Sequence, residues 1–246
     1  MQPYRFILGL NFVRPAFSLS SVQGVLSDIL LDIGEEEKQL GSGYFDGIKT
    51  LANEGGINLF RKDHSNMLSV TQSDIIFRKT LTGNKAVNIG NTVDEFKLLF
   101  KAISRKLKIK GIRRVGFVVE YRQAEQNKYS AANELRDGFL SFKGFSDSRL
   151  FDLRFEDRTI IGKLEDHNEN TDAYTNCIHT IYLSEKDDQT KENGKLCFSL
   201  DFQQYFNPTV PAKGVNVELN KVMKDFKLRK KSFIEQMNTQ GFLKND

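Results

Sequence analysis

Two cysteines, three histidines and a near balance of charge are the first constraints this chain imposes. Cys177 and Cys197 are too few to staple a disulfide scaffold, and their apolar settings suit a reducing cytoplasm. His64, His167 and His179 are scattered, so no histidine-rich metal motif is present. Crossing a bilayer takes roughly 20 consecutive apolar residues, and no run approaches that length, so no membrane partner is expected. Residues 1–10 hold only a short apolar run broken by Arg5 and Gly9, without a small-residue cleavage pattern, and read as a first strand. Lysine and arginine total 36 against 32 acids, a net charge of +4. That excludes coating nucleic acid by bulk charge and leaves clustering as the source of any basic surface.

Motifs that carry chemistry are missing as well. No glycine-rich loop runs into Lys-Ser or Lys-Thr, so the backbone cradle of a phosphate-binding loop is absent. Gly41, Gly43 and Gly47 have the wrong spacing for a dinucleotide fingerprint and read as a plain loop, and Gly41-Ser42-Gly43 lacks the flanks of a serine nucleophile elbow. Cys177 and His179 share one face of a strand, and a hairpin could bring Cys197 to them. Three ligands make an incomplete structural zinc site, and core burial is the better explanation for both cysteines. A thiol nucleophile would need an orienting group and an oxyanion hole besides. A metal-dependent nuclease needs converging carboxylates. Glu120, Glu156 and Asp201 end strands, and Lys163 follows Asp157, but no acid–x–Lys pairing sits on one strand. No catalytic, cofactor-binding or metal-ligating residue is therefore assigned, and no cofactor is expected.

What is present points to a folded α+β protein. Hydrophobic residues make up 39%, including 20 phenylalanines, and 246 residues suffice for one large domain or two small ones. At residues 92–107, Val93, Phe96, Phe100, Ile103 and Leu107 recur at steps of three and four, with Thr92 and Glu95 spaced as a capping box. Val115, Phe117, Val119 and Tyr121 then alternate with Gly116, Val118, Glu120 and Arg122 as a strand. Upstream lie a strand at 4–13, a helix at 20–32, a glycine-rich loop at 34–56 with a helical turn at 45–52, and strands at 57–62 and 67–80. Asp74 interrupts the last of these and marks an irregularity or an edge.

The order strand, helix, strand, strand, helix, strand is that of a ferredoxin-like split βαβ unit. After a polar stretch at 123–130 come a short helix at 131–142, strands at 150–156 and 158–163, an acidic segment at 165–172, and a hairpin of strands at 174–183 and 195–202 with a solvated connection. Asn207-Pro208 and Pro211 break the chain before a long helix at 217–238. The expected fold is thus α+β: a ferredoxin-like half, 1–125, followed by a mainly antiparallel sheet packed on a long C-terminal helix, 126–246, either as two domains or as one continuous domain.

Two basic clusters are the strongest functional hint. One comprises Lys101, Arg105, Lys106, Lys108, Lys110, Arg113 and Arg114; the other includes Lys224, Lys227, Lys230 and Lys231, along with Lys221 and Arg229. Lysines at a helix C-terminus complement the macrodipole and solubilise an outer face, which outweighs a phosphate-binding groove. An RNA-binding sheet of this type presents aromatics on its open face, where Phe117 and Tyr121 could stand.

The alternating strand at 67–79, the helix at 92–107, the arginine-bearing strand Arg113-Arg114-Val115-Gly116-Phe117, and the closing Leu200-Asp201 before a helix bearing Phe233 and Ile234 together resemble a sporadically distributed family of uncharacterised bacterial proteins of about this length. The resemblance implies an intracellular bacterial accessory protein from mobile or host-defence gene neighbourhoods, and carries over no activity or catalytic residue. The expectation is a non-enzymatic binding or assembly subunit in the cytoplasm, acting through a protein partner or as a homo-oligomer. Nucleic-acid binding through the two basic helices is the alternative, and a divalent-metal nuclease the second alternative.

Overall fold

Strand β1 (Arg5–Phe12) buries every second side chain, Phe6, Leu8, Leu10 and Phe12, and this alternation decides which side of the sheet receives the helices. The computed structural model of the chain describes residues 3–36, 40, 43–51, 55–81, 87–139, 152–161, 173–184 and 193–239. The chain continues through α1 (Leu19–Glu36), β2 (Gly47–Leu51), β3 (Gly56–Phe60), β4 (Asn66–Val70), β5 (Asp74–Thr80), α2 (Ile89–Leu107), β6 (Gly111–Asn127), α3 (Lys128–Phe139), β7 (Asp152–Ile161), β8 (Ala173–Ser184), β9 (Asn193–Pro211) and α4 (Val215–Thr239). The nine strands form one sheet in the order β2-β3-β4-β5-β1-β6-β9-β8-β7, with every neighbour antiparallel. Residue 125, where the two sequence halves meet, lies inside β6, which pairs with β1 on one side and β9 on the other.

One side of the sheet carries the core. Phe226 of α4 packs on Phe6, Phe117 and Phe202, with ring centroids 6.0, 5.4 and 6.3 Å away. Phe96 of α2 lies 6.2 Å from Phe77, which stands opposite Leu8 in register. Helix α1 packs on α2 and β3, and Lys97 of α2 donates to Asn220 of α4 at 2.8 Å. These three helices therefore share the face that Phe6 and Leu8 present, and α3 packs on β6, β8 and β9.

Several boundaries differ from the sequence expectation, each for a local reason. Asn88 is the N-cap of α2, its side chain accepting from the Asn91 amide at 3.1 Å, so Thr92 falls in the first turn with its hydroxyl on the Asn88 carbonyl. Glu95 is drawn away from any capping box by Lys79 at 2.7 Å and the Tyr44 hydroxyl at 2.7 Å. The segment expected as a helical turn at 45–52 is β2, the sheet's edge beside β3. Residues 67–80 form two strands, because Thr71 and Asp74 close a tight turn: the Thr71 amide donates to the Asp74 carbonyl at 2.9 Å and its hydroxyl to the Asp74 carboxylate at 2.7 Å. No linker follows residue 122; β6 runs on to Asn127 against β9 and leads directly into α3. The two strands expected at 150–163 are one, β7, and β9 continues through Pro208 to Pro211 rather than stopping at Phe202. Of the solvated connection expected at 184–194, Ser184 ends β8 and Asn193 and Gly194 begin β9, while residues 185–192, like the acidic segment at 165–172, lie outside the described residues.

Helix α2 ends in a conformation its sequence does not favour. Lys108, the C-cap, has φ 52 and ψ 42, the left-handed region where a Cβ is costly, and its amide bonds the Ser104 carbonyl. Replacing Lys108 with glycine is expected to stabilise the protein by about 0.5–1 kcal/mol. Paired denaturant melts that show equal or lower stability would contradict this.

Candidate binding face

The other side of the sheet is built by the second parity of the same strands, and among the described elements α1, α2 and α4 leave it uncovered. Along one row across the sheet, Ile76, Gly9, Gly116, Gln203, Asn176 and Arg158 follow one another in register. Gly9 and Gly116 stand directly opposite each other on β1 and β6. Among the described residues, a Cβ added at Gly9 would come no closer than 3.9 Å to a neighbour, and one added at Gly116 no closer than 3.8 Å. Internal packing thus does not require glycine at either position, and the pair leaves a flat strip of bare backbone of the kind that lets another chain or ligand approach closely.

Beside this strip lies an aromatic and arginine cluster. Tyr174 and Tyr205 are register partners with rings stacked 4.3 Å apart. The Arg114 guanidinium lies 5.5 Å from the Tyr205 ring centre and donates to its hydroxyl at 3.0 Å, while Arg158 lies 4.6 Å over Tyr174. Tyr205 in turn donates to Gln203 at 3.1 Å, and Gln203 to the Asp201 carboxylate at 2.8 Å. Burial raises the Asp201 carboxyl above its ordinary range, opposed by that Gln203 bond and by Arg114. The Tyr174 phenol is likewise pushed up, first by burial and then by Tyr205. Two side chains on from Gly116, Glu120 is almost fully buried and accepts from Arg5 and, at 2.6 Å, from Arg122. Arg122 also stacks on Tyr4 at 3.6 Å.

Charge on this face leans basic but is mixed. Strand parity gives it Arg5, Lys49, Arg78, Arg114, Arg122, Arg154, Arg158 and Lys195 against Asp74, Glu120, Asp152, Glu156 and Asp201. Half-buried Ile7 and Val118 and buried Ile178 form its apolar centre. Arginine and tyrosine around a small apolar centre is the composition that protein interfaces favour.

The basic clusters singled out in the sequence sit elsewhere, with one exception. Lys101, Arg105, Lys108, Lys110 and Arg113 are exposed and Lys106 half-buried, at the C-terminal end of α2 and the start of β6. Arg114 alone stands on the open face, because it alternates with Val115 and shares the parity of Gly116 and Val118. Lys224, Lys227 and Lys231 are exposed on α4, and Lys230 is half-buried, its ammonium lowered by burial and then by Lys227. Lys227, Lys230 and Lys231 lie between Phe226, over β1, β6 and β9, and Phe233, which packs on His179 of β8, and Lys224 lies just before Phe226. One cluster thus sits at the C-terminal end of α2 and the other along α4.

Phe117 and Tyr121, the aromatics expected on the open face, are buried beneath the helices. The open-face rings are Tyr174 and Tyr205, which polar parity on β8 and β9 could have suggested but which only the register between those strands brings together. Cys197 also departs from expectation: it stands opposite Arg122 and Tyr182 on the open face, while Cys177 stands opposite Phe202 on the helix side. Among the described residues, Glu120, Glu156 and Asp201 do not gather as metal donors; the donors that do are Asp157, Cys177 and His179. A cavity of about 280 Å³ opens by the start of α2, lined by Tyr44, Arg61, Lys79, Asn88 and Glu95 among others. Its central charges, Lys79 and Glu95, are spent on each other. No helix among the described residues is long and apolar enough to cross a membrane. Set against known proteins, the chain matches no family model and no curated protein.

Proposed function

We propose that this protein is a non-enzymatic binding or assembly subunit that engages a protein partner through the open face of its sheet. The observation that carries the reading is the facing pair Gly9 and Gly116, bare backbone without an internal packing reason, beside the Tyr174–Tyr205–Arg114–Arg158 cluster. The five acids interleaved with the bases of this face favour a protein over a polyanion, since phosphate backbones are held by unopposed lysine and arginine. The partner is a second chain, different or identical, and sedimentation of the isolated protein separates hetero-assembly from a homo-oligomer. The strand order β4-β5-β1-β6, with α1 and α2 on one side, supports a ferredoxin-like unit in the N-terminal half. Two unbridged cysteines support a reducing, cytoplasmic setting, and an accessory subunit of this kind fits the sporadically distributed bacterial proteins that the sequence resembles.

Gly116→Val and Gly9→Val test the reading. A β-branched residue suits a strand, so both variants are expected to keep or raise stability. Each is expected to weaken partner capture from the native host by about tenfold or more, as steric intrusion at an interface centre does. Unchanged capture by both well-folded variants would sink the proposal. Nucleic acid is the second reading, favoured by the stacked tyrosines, on which bases could stack. It predicts single-stranded RNA or DNA binding that falls steeply with salt and is lost in Tyr205→Ala.

A further inference from the structure

Strands β7 and β8 hold a group of donor atoms on the helix side of the sheet, which the binding face does not use. Cys177 and His179 are two residues apart on β8, so both side chains leave the same face, and Asp157 stands directly opposite Cys177 on β7. A thiol sulfur, an imidazole nitrogen and a carboxylate oxygen thereby lie within 4.8 Å of one another. This is a cross-strand constellation that no linear spacing would reveal.

The donors are held in place but not consumed. His179 is 8% exposed, its Nδ1 is buried with no hydrogen-bond partner, and its Nε2 reaches Asp157 only at 3.5 Å, the far limit of a hydrogen bond. Phe155 and Phe233 flank the imidazole, with ring centroids 4.6 and 5.4 Å away, which orients the ring without occupying its nitrogens. Cys177 forms no disulfide. The Asp157 side chain is 49% exposed, so solvent reaches the group from the β7 edge. The ring thus turns Nε2 toward Asp157 and leaves Nδ1 buried without a partner, a costly arrangement for a ring that is satisfied at neither nitrogen.

We infer that Asp157, Cys177 and His179 bind one zinc(II) ion, with water in the remaining position. Sulfur, nitrogen and oxygen donors in this mixture suit a borderline cation and reject calcium and magnesium, which take oxygen alone. Three protein ligands and an exposed fourth place describe an open rather than a closed zinc site. Binding replaces the Cys177 S–H bond with a sulfur–zinc bond and releases that proton to solvent. The aspartate and thiolate together neutralise the dication, which lets the site tolerate Arg229 of α4 nearby, where it contacts Thr159 at 3.5 Å. The site goes beyond the partner-binding reading and stands or falls separately from it.

Cobalt(II) is the probe, because its thiolate complexes absorb where zinc is silent. The untagged full-length chain, stripped with chelator and titrated with cobalt(II), is expected to take up one equivalent with a sulfur-to-cobalt charge-transfer band that zinc(II) then abolishes. Cys197→Ser should leave that band intact, because Cys197 lies on the other side of the sheet. Asp157→Ala, at an exposed position that does not threaten folding, should weaken cobalt binding by about tenfold or more, the loss that perturbing a metal shell commonly causes. Absence of the band in the folded wild-type chain overturns the proposal. So does a band that Cys197→Ser removes or that Asp157→Ala leaves at full affinity.

Discussion

Replacing Phe226 with alanine is expected to destabilise the protein by about 4 kcal/mol, the range for deleting a fully buried aromatic ring. Its ring is wholly buried and touches Phe6 of β1, Phe117 of β6 and Phe202 of β9. Those strands come from the start, the middle and the last quarter of the sequence. The side chain thus joins α4 to the centre of the sheet, and its loss leaves a cavity that rigid strands cannot close. A denaturant midpoint shifted strongly downward, with an unchanged slope, is the expected signature. A loss below about 1 kcal/mol would mean that α4 docks independently of this cluster.

Glu120→Ala is the second large effect, expected at about 3 kcal/mol, near the low end for breaking a buried ion pair. The carboxylate is 3% exposed and serves two guanidiniums, Arg5 and Arg122, whose side chains are 30% and 25% exposed. Their residual contact with water is why the loss falls short of that for a dry triad. Removing the acid leaves two half-buried cations close together, with Arg78 beside Arg5 as a third. Burial and then Arg5 already hold the Arg78 guanidinium below its ordinary range. Glu120→Ala measured alongside Arg5→Ala/Glu120→Ala provides the check: the double variant should recover part of the loss, since fewer cations remain uncompensated. Simple additivity would show that the three groups are not coupled.

How far the sequence reveals this molecule depends on the range of the interaction. The apolar stripe of α2 and the alternation of β6 are local periodicities, and both stand where the pattern put them, down to Gly116, Val118, Glu120 and Arg122 on the face away from Phe117. Helix α4 buries Leu219, Val222, Met223, Phe226, Phe233 and Met237, a one-sided stripe, for the same reason. Boundaries went astray where a single side chain decides: Asn88 captures the α2 cap, and the Thr71–Asp74 bonds split one apparent strand into two.

The binding face is the least legible part, because it depends on register. Gly9 and Gly116 are 107 positions apart in sequence, and Tyr174 and Tyr205 come together only because β8 and β9 pair as they do. Cys177 and Cys197 show the reverse failure. Both are strand cysteines on one hairpin, yet Cys177 pairs with Phe202 and Cys197 with Tyr182, which sends them to opposite faces.

The open face carries the account of function, and protection of its tyrosines tests it most directly. Hydroxyl-radical footprinting of the protein in its native assembly and alone should show Tyr174 and Tyr205 strongly shielded in the assembly. Phe17 of the α1 approach and Leu228 of α4, 72% and 63% exposed in the isolated chain, should react equally in both states. Tyrosines that react alike in both states, with protection moved to the basic outer surface of α2 and α4, would contradict the account and return the contact surface to the helices.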